Sequence, residues 1–278
     1  MLNKRKEDKF MDAGNSIFFN YFGIIRDTRQ QAKVRHLLID ILFISVAATI
    51  ANASDWEEVE IFAKKREEWF GRFLELPNGI PSHDTFERVF RWIDPKQFEK
   101  CFVHWVREIA ELADRTVVAI DGKTMRGAFD SDDKKSPIHI VSAWASENGL
   151  VLGQVKTNVK SNEITAIPEL LDLIFVKNCI VTIDAMGTQT KIVEKIIEKE
   201  ADYVLALKGN QPNLHKDVVD FFEDAEKTKF DEINVKSCTT TDKGHGRIET
   251  RKYYLVNDIN WLSMKDQWKG LKSIGMAI

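Results

Sequence analysis

The apolar residues of this chain change their spacing once, near Ala113, and that change limits the folds open to it. Before it they recur every three or four residues, which marks one buried face of a helix. Trp56, Val59, Phe62 and Ala63 follow Asp55, a residue type suited to cap a helix start. Phe86, Val89 and Phe90 share a stripe in Thr85–Trp92, and Phe98, Phe102, Trp105, Val106 and Ile109 share another after Pro95. Val34–Ala53 is apolar on more than one face, as a central helix would be. Pro77-Asn78-Gly79 and Pro81-Ser82-His83-Asp84 separate these segments. An all-α module is expected up to about Ala113.

Beyond that point the period is that of strands. Thr116–Asp121, Cys179–Asp184 and Tyr203–Lys208 are short aliphatic runs that read as buried strands. Ile138–Ser146 and Leu150–Thr157 read as two more, joined by a hairpin at Glu147-Asn148-Gly149. Asp130–Ser136 reads as loop. Ser161 or Asn162 can cap a helix over Glu163–Leu173, and Thr188–Glu200 predicts another with Ile192, Val193, Ile196 and Ile197 turned inward. The order β-β-β-α-β-α-β starts as an antiparallel meander and continues through crossover helices, which set later strands parallel. It fits a ribonuclease-H-like sheet, although other mixed α/β folds share parts of it.

The chain has 278 residues, enough for one large or two smaller domains. A net charge of −3 leaves no global basic field to draw it onto a polyanion, so any such contact needs a local patch. Cys101, Cys179 and Cys238 are odd in number and far apart. That argues against a disulfide framework or a thiolate zinc site and suits a reducing cytoplasm. The longest apolar run, Leu37–Ala51, is interrupted by Asp40 and falls short of the roughly 20 residues needed to cross a bilayer. A cytoplasmic protein without membrane association is expected.

Two carboxylates stand out by position. Asp121 and Asp184 each close an aliphatic run and precede a glycine-containing turn, Asp121-Gly122 and Asp184-Ala-Met-Gly187. If their strands are neighbours, both lie at one sheet edge within reach of a shared divalent ion. Mg²⁺ is often held by one or two carboxylates plus substrate phosphates, and a pair of such ions serves phosphodiester cleavage. Each aspartate also suits an ordinary turn. Lys208-Gly-Asn210-Gln211 offers a cation and amides to a phosphate or ribose, and Gly244-His245-Gly-Arg247 with Arg251 is a local basic cluster.

Five ordered strings carry a likeness: AIDGKTMRG (119–127), GQVKTNVKSNEITAIPELL (153–171), TIDAMGTQ (182–189), DYVLALKGNQ (202–211) and GHGRIETR (244–251). They resemble the insertion-sequence DDE transposases of the ISAs, or H-repeat-associated, type. DTRQQAKVRHLLIDIL (27–42), WEEVEIFA (56–63) and NGIPSHDTFERVF (78–90) resemble that family's associated N-terminal domain. The resemblance implies a ribonuclease-H-like core that cuts and rejoins double-stranded DNA at transposon ends, with Mg²⁺ or Mn²⁺ held by two aspartates and a glutamate. It places the first two acids, catalytic and metal-binding, on Asp121 and Asp184. It places His245, Arg247 and Arg251 within the insertion near DNA and Lys208 to Gln211 at the exit of the strand leading into it; Lys123, Lys208, Asn210 and Gln211 are expected to contact DNA as well, and there is room for a homo-oligomer.

On this reading residues 1–21 form an N-terminal tail and 22–113 the helical associated domain. Residues 114–278 form an incomplete catalytic domain, with a β-rich insertion from about 212. The family's glutamate lies beyond that insertion, and neither Glu163 nor Glu249 matches its place. The apolar Leu271–Ile278 reads as a strand cut off midway, so a C-terminally truncated transposase with impaired strand transfer is expected. The alternative is a catalytically dead DNA-binding remnant, or a regulator of an intact transposase.

Overall fold

The computed structural model describes residues 13–110, 115–129, 137–147, 149–157, 163–231, 233–244 and 247–278. The chain divides into two compact units, Met1–Glu111 and Leu112–Ile278. The first is helical: α1 (Ala13–Phe22), α2 (Leu38–Ile50), α3 (Trp56–Lys65), α4 (Glu67–Phe70), α5 (His83–Phe90) and α6 (Pro95–Ile109). Local chemistry sets the helix starts. The Asp55 side chain accepts from the Glu58 amide, and the Asp94 side chain accepts from that of Lys96, with Pro95 in the first turn.

In α2, Ile41, Leu42, Ile44 and Ala48 are fully enclosed, which fits a helix apolar on several faces. Its one acid, Asp40, is buried too. Its Oδ2 accepts from the Leu76 amide at 3.1 Å, and burial pushes its carboxyl pKa up. Cys101 packs in the same core, where burial raises its thiol pKa.

This unit extends further toward the N-terminus than the sequence reading allowed. Residues 13–21, expected in the tail, form α1 together with Phe22. Phe18 and Phe22 stack at 4.2 Å and meet the edge of Trp105 on α6 at 5.5 and 6.0 Å. Both phenylalanines are core residues.

The second unit carries β1 (Val117–Phe129), β2 (Pro137–Ala145), β3 (Leu150–Thr157), α7 (Glu163–Leu173), β4 (Ile180–Ile183), α8 (Thr190–Glu198) and β5 (Asp202–Leu205). The five strands form one sheet in the order β3-β2-β1-β4-β5. β1, β2 and β3 are antiparallel neighbours, while β4 runs parallel to β1 and β5 parallel to β4. This is the expected meander followed by crossovers, and it is the ribonuclease-H-like strand order. The turn between β2 and β3 uses Gly149 at φ 64, a left-handed conformation that glycine adopts without strain.

One element differs from expectation. The strand expected to end at Asp121-Gly122 runs on to Phe129, because β2 keeps pairing with it through Asp121↔Ser142 and Gly122↔Val141 to Met125↔Ile138. The strand that stops is β4.

After β5 comes α9 (Pro212–Lys227), then a separate antiparallel sheet of β6 (Val235–Gly244), β7 (Arg247–Val256) and β8 (Ile274–Ala277). The β-rich part therefore begins at Val235, after a helix, rather than near residue 212. β8 is the apolar end segment that read as an unpaired half-strand; it pairs with β7 from Val256↔Ile274 to Tyr253↔Ala277. Leu214, Val218 and Phe222 of α9 share a core with Val256, Ile259, Trp268 and Ile274. Among the described residues no helix is long and apolar enough to cross a membrane. The expected loop at 130–136 and the cap at 161 or 162 fall outside the described residues.

Candidate active site

The parallel pairing of β1 with β4 builds the site. Val118↔Val181 and Ile120↔Ile183 are register pairs, and all four side chains are buried on one face of the sheet. Ala119↔Thr182 lies on the other face. One step further, the same alternation places Asp121 and Asp184 side by side on the Ala119–Thr182 face. Neighbouring strands lie about 4.8 Å apart, and the two aspartates directly follow the last register pair, Ile120↔Ile183. Asp121 is well exposed, at 59% of its side chain. Lys123, two residues on and therefore on the same face, holds its Nζ 3.9 Å from Asp121 Oδ2.

Asp184 has a second occupation. Its Oδ1 accepts from the amides of Met186 at 3.1 Å and Gly187 at 3.4 Å, capping a single 3-10 turn, Ala185–Gly187. Turn chemistry and exposure thus coexist in one carboxylate: Oδ1 orients the group, and among the described residues the other oxygen accepts no hydrogen bond. Gly187 leaves no free space for a side chain: a β-carbon there would lie 2.3 Å from Ile183 Cγ2 and 3.0 Å from Ile167 Cδ1, so Ile183 would have to move.

Three side chains hold the 184–189 loop from the β5 side. Thr188 Oγ1 donates to the Ala206 carbonyl at 2.6 Å, Gln211 Nε2 donates to the Thr188 carbonyl at 2.9 Å, and Asn210 Nδ2 donates to the Ala185 carbonyl. Asn210 and Gln211, expected at DNA, are therefore engaged through their amide donors in fixing the segment that carries Asp184. Thr188, expected only as the start of a helix, was not singled out for this role; a threonine five residues past a strand carries no periodic signal. Lys208 is exposed beyond the end of β5, in the segment between Ala206 and the two amides.

Of the remaining candidates, Arg251 belongs to the separate three-stranded sheet. Arg251, on β7, pairs with Asp242 at 3.5 Å and with Glu249. His245 and the side chain of Arg247 lie outside the described residues. Among the described residues no three acidic, histidine or cysteine side chains are grouped to hold a metal ion. Among the described residues the sheet edge thus offers two carboxylates as donors. That set suits a hard oxygen-seeking cation that keeps much of its water, as Mg²⁺ does, and not a zinc ion that needs nitrogen or sulfur ligands.

A family model described as "Transposase DDE domain" matches residues 112–266, and another described as "DDE_Tnp_1-associated" matches 19–106. The chain belongs to the DDE transposases. YncI of Escherichia coli O157:H7, which carries a transposase name, is 48% identical over 260 residues, covering 93% of this chain and 66% of its own length. YncI of E. coli K12 is 49% identical over 238 residues, 86% of this chain and 95% of its own. The H repeat-associated protein YhhI of E. coli K12 is 41% identical over 263 residues, 93% of this chain and 68% of its own. The DDE transposase chain described here therefore spans about two thirds of the length of two of these relatives and nearly all of the third.

Proposed function

We propose that this DDE transposase acts on the ends of an insertion sequence, cutting and joining DNA strands with a divalent metal at Asp121 and Asp184. One observation carries the reading. It is the β1–β4 register, whose last pair, Ile120↔Ile183, immediately precedes Asp121 and Asp184, within the segment that matches the transposase domain.

Asp121 and the outward oxygen of Asp184 would hold Mg²⁺ or Mn²⁺, with the main-chain bonds to Asp184 Oδ1 keeping that group oriented before the metal arrives. A bound ion there supplies Lewis-acid polarisation of the scissile phosphate and a more acidic water or 3′-hydroxyl. Lys123, freed from Asp121 by the incoming cation, is placed to meet a phosphate oxygen. Lys208 adds a cation at the same end of the sheet. Arg251, with His245 and Arg247, would contact the backbone of the duplex further out, as the family likeness implies. Phosphate contacts of this kind set register and orientation on DNA rather than sequence preference.

The second reading is a protein that binds transposon ends without cutting them, alone or as a regulator of an intact transposase. It is favoured by the two-carboxylate donor set, which holds a metal less firmly than three acids would. A strand-cleavage and strand-joining assay on DNA bearing the element's ends separates the two. The first reading expects Mg²⁺- or Mn²⁺-dependent products that Asp121→Asn and Asp184→Asn each abolish. End-specific binding with no products under either metal overturns it in favour of the second.

A further inference from the structure

Glu163 opens α7 with only 8% of its surface exposed. A carboxylate in the first turn of a helix is favoured by the helix dipole, yet glutamates of that kind normally stand in water. This one rests against a strand. A β-carbon at position 122 would lie 2.5 Å from Glu163 Cδ and 2.7 and 2.8 Å from its two oxygens. A side chain there would have to displace the Glu163 carboxylate, which lies directly on the main chain of Gly122. One turn later, Ile167 lies within contact distance of a β-carbon at Gly187, so α7 covers the sheet face opposite the two aspartates along this edge.

Asp121 precedes Gly122, and alternation sends its side chain to the opposite face. The edge therefore has two carboxylates in front and a third behind, separated by one layer of peptide. Burying a charge so fully is costly unless positive charge compensates it. A divalent cation at Asp121 and Asp184 is such a charge, and the attraction acts both ways through a layer of low dielectric.

We propose that Glu163 is a supporting carboxylate of this centre. Without ligating, it raises the cation affinity of the Asp121–Asp184 edge and fixes the main chain that presents Asp121. The inference rests on reading that edge as a metal site, and its test separates the two claims.

Mn²⁺ binding to the full chain, followed by electron paramagnetic resonance of the free ion, is compared with thermal melts of the metal-free protein. Glu163→Gln keeps the size and removes the charge. It is expected to weaken Mn²⁺ binding by about tenfold, the range in which groups behind metal ligands act, without lowering the metal-free melt. Glu163→Asp and Glu163→Asn are equal in length and differ in charge, so they decide the matter if Glu163→Gln fails to fold; Asp should bind more tightly than Asn. Wild-type affinity in Glu163→Gln alongside weakened binding in Asp121→Asn overturns the role of Glu163 and leaves the metal site standing. Equal losses in Glu163→Asp and Glu163→Asn mark a packing effect and also overturn it. Wild-type affinity in Asp121→Asn overturns the metal site itself, and the inference with it.

Discussion

Thr188 Oγ1 lies 2.6 Å from the Ala206 carbonyl oxygen and donates to it, tying the loop after β4 to the chain leaving β5. Thr188 is buried, and its own carbonyl accepts from Gln211. Asp184 thus sits at the start of a loop pinned at its far end by two hydrogen bonds of different origin.

Thr188→Val keeps the shape and removes the donor, leaving the Ala206 carbonyl short of a partner. It should cost about 1–2 kcal/mol in denaturant unfolding. The loosened loop should also weaken Mn²⁺ binding. A wild-type denaturation midpoint would show that the bond carries no net stability.

Gly187→Ala forces a methyl group into the space held by Ile183 and Ile167. Overpacking of this kind costs roughly 1–3 kcal/mol. The double variant Gly187→Ala with Ile183→Val, which trims the group that is met first, should recover part of that loss in the same unfolding experiment.

Glu60 and His83 give the helical unit a pH signature. The bond from Lys64, then those from the His83 amide and ring, hold the Glu60 carboxyl down to about 2, against an ordinary 4.5. A lowered acid contributes stability above its unfolded value, so this part is lost as pH falls from about 4.5 toward 2. The bond to Glu60 raises the His83 pKa above its ordinary 6.5. A raised base contributes fully below 6.5, and that part fades as pH climbs through the folded value. Stability from the pair should therefore be greatest between about 4.5 and 6.5. Melts across pH should show His83→Gln flattening the loss on the alkaline side.

Lys123 and Lys208 are proposed as phosphate contacts. Each alanine substitution should weaken binding to unrelated duplexes and to end-bearing DNA alike, and should reduce the slope of log affinity against log salt by about one. An unchanged slope removes that residue from the DNA interface.

Much of this architecture could be read from residue spacing, and the exceptions have physical causes. The cap at Asp55, the helix opened by Pro95, the stripe from Phe98 to Ile109 and the strand order follow from local chemistry and period. The helix at residues 13–22 did not stand out, because Phe18 and Phe22 acquire their place only by packing on Trp105, far along the chain. The Asp121-Gly122 pair read as a turn for a sound reason, since that dipeptide favours turns. Here its glycine serves another need, the close approach of Glu163, and a contact between residues 41 positions apart leaves no periodic trace. Asn210 and Gln211 have the right chemistry for a nucleic acid; that their amide nitrogens also donate to main-chain carbonyls of the neighbouring loop is a long-range contact that spacing does not reveal.

The pairing of β1 with β4 has a consequence for how such a sequence can change. Shifting either strand by one residue would turn its aspartate toward α7 and put Val118 and Ile120, or Val181 and Ile183, on the opposite face. The penalty for that slip falls on the oily interior before any chemistry is tried. A copy of this protein that still folds has therefore already aligned its two acids, and a single-residue deletion in either strand would be removed by misfolding rather than survive as a silent loss of activity.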